Sequence, residues 1–255
     1  MKKIIFFVFV VLGYFTPKIA SATTIIIDIS PNRIILSADR ICTYENSNGT
    51  FSHFAEMPKI HKCDDIFYSA SGLAGHEKKF NPMHIVCECL SQRNSSLPKN
   101  INELKNQLKT ALEQELIFLQ KKTAPKDFYQ LKSSVFNLVI AGRNQGELFA
   151  YILNFGIVDI DNMTVDILEQ SWNSSFGTTH LYTIGNDENI KKFAKNDGLK
   201  KNNFSSDISK IKFLMELELN DTNVEYRKNI DIVKLTKSSQ EWLTSNKDCP
   251  IIMNQ

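Results

Sequence analysis

The sequence has no excess of charge of either sign. Thirty Lys and Arg residues stand against 28 Asp and Glu, and no basic stretch is interleaved with aromatics, so the electrostatic footprint of a nucleic-acid binder is missing. Beyond the N-terminal segment, no hydrophobic run approaches the roughly 20 residues needed to span a bilayer. There is no G-x-S-x-G, no P-loop and no dinucleotide fingerprint, which leaves the common serine hydrolase and nucleotide-binding readings without their signatures. The five histidines, His53, His61, His76, His84 and His180, show neither H-E-x-x-H spacing nor tight pairing with cysteine. No metal site and no cofactor are expected from them. Internal repeats and low-complexity tracts are absent.

Cysteine is scarce and odd in number: Cys42, Cys63, Cys87, Cys89 and Cys249. Five thiols do not make a dense disulfide framework, and at least one is expected to be free or paired between chains. Cys87 and Cys89, two apart in an expected helix, point to different sides and are not expected to bridge each other.

What is present begins at the N-terminus. Lys2 and Lys3, the apolar run Ile4 to Phe15, and the small residues Ala20 and Ala22 have the order of an export signal cut after Ala22. Residues 1–22 are thus expected to be a signal peptide and residues 23–255 a single domain, exported to the periplasm or secreted, with no membrane attachment after cleavage. Loss of Lys2, Lys3 and Lys18 would leave 27 basic against 28 acidic side chains. The remaining length is enough for a sizeable core.

β-Branched residues from Thr23 to Ile29, the turn residues Ser30-Pro31-Asn32-Arg33, and Ile34 to Asp39 predict a hairpin of two strands covered on both faces. Ile66 to Ser71 predicts a strand ending in Gly72. His84 to Gln92 predicts a helix, Ser95 to Pro98 a break, and Asn100 with Glu103 a second helix start. Leu104, Leu108, Leu112, Leu116 and Leu119 then mark one apolar stripe of a long helix, read as core. Strands are expected at Val135 to Ala141, Leu148 to Leu153 and His180 to Ile184, helices at Glu188 to Ala194 and Ile208 to Leu219, and a last strand pair at Ile230 to Leu235 and Gln240 to Leu243. Clustered hairpins with clustered helices favour a layered α+β fold over alternating βαβ units.

Cleavage after Ala22 would give Thr23 a free α-amine. Such an amine has a pKa near 8, so it can take a proton from its own hydroxyl near neutral pH. A threonine so placed is an activated nucleophile. A neighbouring ammonium would favour both the free amine and the alkoxide.

Thr23-Thr24-Ile25-Ile26-Ile27, Leu36-Ser37-Ala38-Asp39-Arg40, Pro58-Lys59-Ile60 and Ser69-Ala70-Ser71-Gly72-Leu73-Ala74-Gly75 together resemble the opening of proteasome β-type subunits, N-terminal-nucleophile (Ntn) hydrolases of the threonine peptidase class. The resemblance implies an α+β fold, the four-layer αββα Ntn-hydrolase sandwich, and a catalytic set. Thr23 matches the nucleophile, Asp39 the acid sixteen residues later, Lys59 the active-site lysine with Lys62 as fallback, and Gly72 the glycine whose N–H holds the oxyanion. Two positions depart from the family pattern: Asn186 replaces a serine, and Asp221-Thr222-Asn223 through Lys228 lacks a Ser-Gly-Gly.

The resulting expectation is an exported threonine peptidase or amide hydrolase acting on peptides or unfolded chains, and a homo-oligomer is compatible with it. The alternatives are a non-peptide N-acyl amidohydrolase with the same fold and an inactive relative kept for binding or assembly.

Overall fold

The computed structural model describes residues 23–45, 51–56, 58–73, 80–92, 96–121, 134–185, 187–219 and 230–244. The expected signal peptide, Asn186 and the Asp221 region lie outside them.

Thr24–Ser30 (β1) and Arg33–Asp39 (β2) form the expected antiparallel hairpin, in register from Ile25 with Ala38 to Ser30 with Arg33. Nearly every residue of both strands is buried, as the stiff β-branched run requires of a strand packed on two sides. β1 also pairs with His180–Gly185 (β10), and β2 with Ile230–Thr236 (β11), which carries Gln240–Thr244 (β12) on its far edge. The first sheet therefore has the order β10-β1-β2-β11-β12.

The second sheet is a sequential meander of Ile60–Cys63 (β5), Ile66–Gly72 (β6), Phe136–Asn144 (β7), Glu147–Asp159 (β8) and Thr164–Asn173 (β9). Ile41–Glu45 (β3) and Phe51–Glu56 (β4) pair as a separate two-stranded ribbon. Five helices complete the described residues: Pro82–Leu90 (α1), Leu97–Gln120 (α2), Glu188–Lys195 (α3), Gly198–Lys201 (α4) and Asp207–Leu219 (α5).

Three apolar clusters hold these elements. Ile25, Ile27, Leu36 and Val233 of the first sheet meet Phe67, Val139 and Trp172 of the second sheet. The leucine stripe of α2 packs with Leu138, Phe136 and Phe155. Ile26, Ile35 and Ile232 pack with Leu214 and Met215 of α5. Alternation along β1 thus sends Ile25, Ile27 and Ile29 to one cluster and Ile26 to another.

Pro98 does not break the chain as expected. It sits in the first turn of α2, where its missing N–H has no intrahelical acceptor to lose, so the helix opens at Leu97 behind Ser96. Asn100 is consequently not a cap: it is buried inside α2 and donates from Nδ2 to the Gln92 carbonyl at 3.1 Å.

The expected four-layer αββα Ntn-hydrolase sandwich is corrected. The described residues form two five-stranded antiparallel sheets, a detached ribbon and five helices, of which only α2 and α5 exceed nine residues. Strands dominate, and the long β8–β9 hairpin leaves Val158 and Leu168 exposed. Short, unequal helices do not build two full outer layers over sheets of this extent.

The stripe assignment has a direct test. Leu108→Ala, at a fully buried position, should destabilise the fold by about 2–5 kcal/mol in urea denaturation. Leu168→Ala, 66% exposed, should change it by no more than about 0.5 kcal/mol. Similar effects at the two sites would overturn the packing described.

Candidate functional site around Thr23

Thr23 lies just before β1 and is 6% exposed. It continues the alternation of Ile25 and Ile27, so its side chain is on the inter-sheet side of the strand. There Lys59 Nζ donates to Thr23 Oγ1 at 3.1 Å. Lys59 immediately precedes β5, and its position is fixed through its main chain: its backbone N–H donates to Asp231 Oδ2 at 3.0 Å. A threonine hydroxyl and a lysine ammonium from the two different sheets are thereby brought into contact.

Asp39 ends β2 and is 1% exposed. Its Oδ2 accepts the Thr24 backbone N–H at 2.5 Å, a charge-assisted bond that anchors the start of β1 next to Thr23. Asp39 and Lys59 thus both bear on the Thr23–Thr24 segment, one through the main chain and one through the hydroxyl. Lys62, the fallback lysine, stands over the Phe67 ring at 5.6 Å, and the contact with Thr23 belongs to Lys59.

Gly72 has a φ of +99°, and a Cβ there would fall 2.3 Å from the Val135 carbonyl oxygen. The next N–H, of Leu73, donates to that same oxygen at 2.9 Å. Glycine is therefore demanded here by the closing of β6 against β7, a structural reason independent of the oxyanion role expected of it.

Gly185 is under the tighter constraint. Its φ is +87°, and a Cβ would lie 1.9 Å from the Thr23 carbonyl oxygen and 3.2 Å from Ser71 Oγ. The end of β10 can approach Thr23 only because no side chain intervenes. Ser71 is itself held by Asn137, whose Nδ2 donates to its Oγ at 3.2 Å, and Asn154 Nδ2 donates to Asn137 Oδ1 at 2.8 Å. Buried Asp187, two residues after Gly185, accepts from Thr183 Oγ1 at 2.6 Å and pairs with Lys191 at 2.8 Å.

Sequence reasoning missed Asp231. It sits in β11 opposite Ala38, buried, with Arg40 Nε 3.7 Å from its Oδ1. Burial pushes its carboxyl above the usual range, opposed by the N–H bonds of Lys59 and Ile60 and by the Arg40 charge. A carboxylate lodged in the apolar run Ile230-Asp231-Ile232-Val233 was the available signal, since a strand of that kind tolerates an acid only where partners wait for it. His61, two residues beyond Lys59, stacks on Tyr68, with its pKa lowered by burial and then by the Lys59 charge. A neutral imidazole adds no positive charge beside Lys59 at neutral pH.

No family model matches the chain, and no curated protein matches it. Among solved structures it is similar to Anbu, an ancestral beta-subunit from Yersinia bercovieri, at 12% identity and a TM-score of 0.48, over 90% of each chain. The family assignment read from the opening residues, to Ntn hydrolases of the proteasome β type, is therefore corrected: the motifs are too short and too dispersed to carry membership, and the likeness found is distant. It transfers neither an activity nor a substrate.

Two consequences of this geometry are measurable. Gly185→Ala should destabilise the protein by about 1–3 kcal/mol through backbone strain and displacement of Thr23, read by urea denaturation; a variant as stable as wild type would contradict the close approach. Asp231 gives a pH signature. Its folded pKa is raised above an unfolded value of about 3.9, so its contribution to stability is fully present below about pH 4 and is lost as pH rises through the folded value. Asp231→Asn keeps an acceptor but cannot ionise. The stability of wild type relative to this variant should fall as pH rises from about 4 toward 7, and a constant difference over that range is the contrary result.

Proposed function

We propose that the Thr23 site hydrolyses amide bonds once residues 1–22 have been removed. The carrying observation is the 3.1 Å contact between Lys59 Nζ and Thr23 Oγ1, made at the residue that the expected cleavage would turn into an N-terminus. In this reading the Thr23 α-amine accepts the hydroxyl proton while the Lys59 ammonium favours the developing alkoxide. The oxygen attacks a carbonyl carbon, and the Gly72 N–H contributes to holding the oxyanion. The amine then protonates the leaving nitrogen, leaving an ester on Thr23 that water cleaves. Asp39 and Asp231 are positioning residues, holding the Thr24 and Lys59 main chains respectively.

The substrate class proposed is peptides or already unfolded chains met outside the cytoplasm, with N-acyl compounds as the second class. Support for catalysis comes from the local geometry at Thr23 and Lys59.

A second reading is favoured by the sequence: Asn186 stands where the pattern that the opening residues resemble has a serine, and no Ser-Gly-Gly precedes Ile230. On that reading the protein is an inactive binding or assembly component that retains the Thr23 geometry.

The two are separated by intact mass and N-terminal sequencing of processed protein, followed by labelling with a peptide epoxyketone, which needs the amine and hydroxyl of one N-terminal threonine. Catalysis predicts an adduct on wild type and none on Thr23→Ala. It also predicts a labelling rate lowered by about 10²–10⁴-fold in Lys59→Ala. Correctly processed protein that takes no label supports the inactive reading, and a start at any residue other than Thr23 removes the proposed base.

A further inference from the structure

Cys63 closes β5 and Cys87 lies in the middle of α1. Their sulfurs are 3.1 Å apart, and Cys63 Sγ is 3.5 Å from the Cys87 carbonyl oxygen. Both are thiols. A disulfide has an S–S distance of about 2.05 Å, so roughly 1 Å of approach separates the present pair from a bond. Exposure is unequal: Cys63 is buried, whereas Cys87 is half-buried. Cys89 is buried among the packing residues of α1 and α2.

We propose that Cys63 and Cys87 are a disulfide-forming pair that fastens β5 to α1 when the protein meets a donor of the thiol–disulfide exchange class. The Cys87 thiolate attacks the donor disulfide, forming a mixed disulfide and releasing one donor thiol. Cys63 then gives up its proton, its sulfur attacks Cys87 Sγ, and the second donor thiol leaves. Two protein thiols are oxidised and one donor disulfide is reduced to two thiols, so electrons and protons balance.

The order of the steps follows from the surroundings. Burial first, then the neighbouring Cys87, push the Cys63 thiol up to about 12. Cys63 is therefore a poor first nucleophile and acts as the resolving sulfur, held next to its target by packing. The bond would link residues 24 apart in sequence. It would also fix the strand that begins directly after Lys59.

The test uses full-length protein, reduced and then incubated with oxidised glutathione. Non-reducing digestion and mass spectrometry should find a Cys63–Cys87 linked peptide, with a loss of about 2 Da from the intact mass. The melting temperature should rise by about 5–10 °C relative to the reduced protein. Cys87→Ser, a change of similar volume at a half-buried site, should give neither the link nor the rise. The proposal is overturned if glutathione remains on Cys87 as a stable adduct, if both thiols can still be alkylated after denaturation, or if Cys63 is found linked to another cysteine.

Discussion

Burial of β1 on both faces is the constraint from which the site follows. With Ile25, Ile27 and Ile29 committed to the cluster shared by the two sheets, and Ile26 to the cluster shared with α5, the strand has no freedom to slip by one residue without turning every side chain to the wrong face. That register places Thr23 on the inter-sheet side, where Lys59 reaches it. The same register leaves Asp28 facing the α5 side, and that carboxylate is matched by Lys210 at 2.6 Å and Arg33 at 3.6 Å. A buried acid of this kind is tolerated because cations from the turn and from α5 stand beside it. Polar groups on β1 and β2 are therefore fixed by partners at both ends of the hairpin, Asp28 at one end and Asp39 at the other.

The two sheets are also joined by a polar tie. Asp231 belongs to the first sheet, yet it accepts the main-chain N–H groups at the start of β5 in the second. It shares the parity of Val233 and Leu235, which lie in the inter-sheet cluster, and so faces the gap across which Lys59 approaches. Were the carboxylate lost, the Lys59 and Ile60 N–H groups would be left without this acceptor in a dry setting. The reach of Lys59 to Thr23 thus depends on a residue that does not touch Thr23.

Much of this was legible in the sequence because the strands announce themselves through β-branched residues. The hairpin of β1 and β2, the strand ending at Gly72 and the leucine stripe of α2 all follow from side-chain stiffness and periodicity. β9 was not legible: as an edge strand with half of its residues exposed, it carries Asp166, Glu169, Gln170 and Ser171, a composition that reads as loop. The β3–β4 ribbon was hidden because its strands carry polar residues such as Thr43, Glu45, Ser52 and Glu56 and flank the polar sequence Asn46-Ser47-Asn48-Gly49. Pro98 misled because the same ring that breaks a helix interior is accommodated in a first turn. Asp231 and the Cys63–Cys87 contact are pairings between segments 172 and 24 residues apart in sequence, and no local pattern encodes such distances.

The bonds that shape the site involve the Thr23 hydroxyl, the Thr24 N–H, the Lys59 main chain and the bare Cα of Gly185. None of them requires Thr23 to be the first residue. While residue 22 is attached, the Thr23 nitrogen is a peptide amide, which cannot act as a base near neutral pH, whereas a free α-amine with a pKa near 8 can. Removal of the leading segment would therefore change the chemistry of one nitrogen within a framework already assembled by burial. The geometry and the reactivity of Thr23 are separable properties: the first is set by the register of β1, and the second by whether the chain is cut. An inactive relative would need to change only the second, which is why the arrangement of side chains and the identity of the N-terminus have to be established independently.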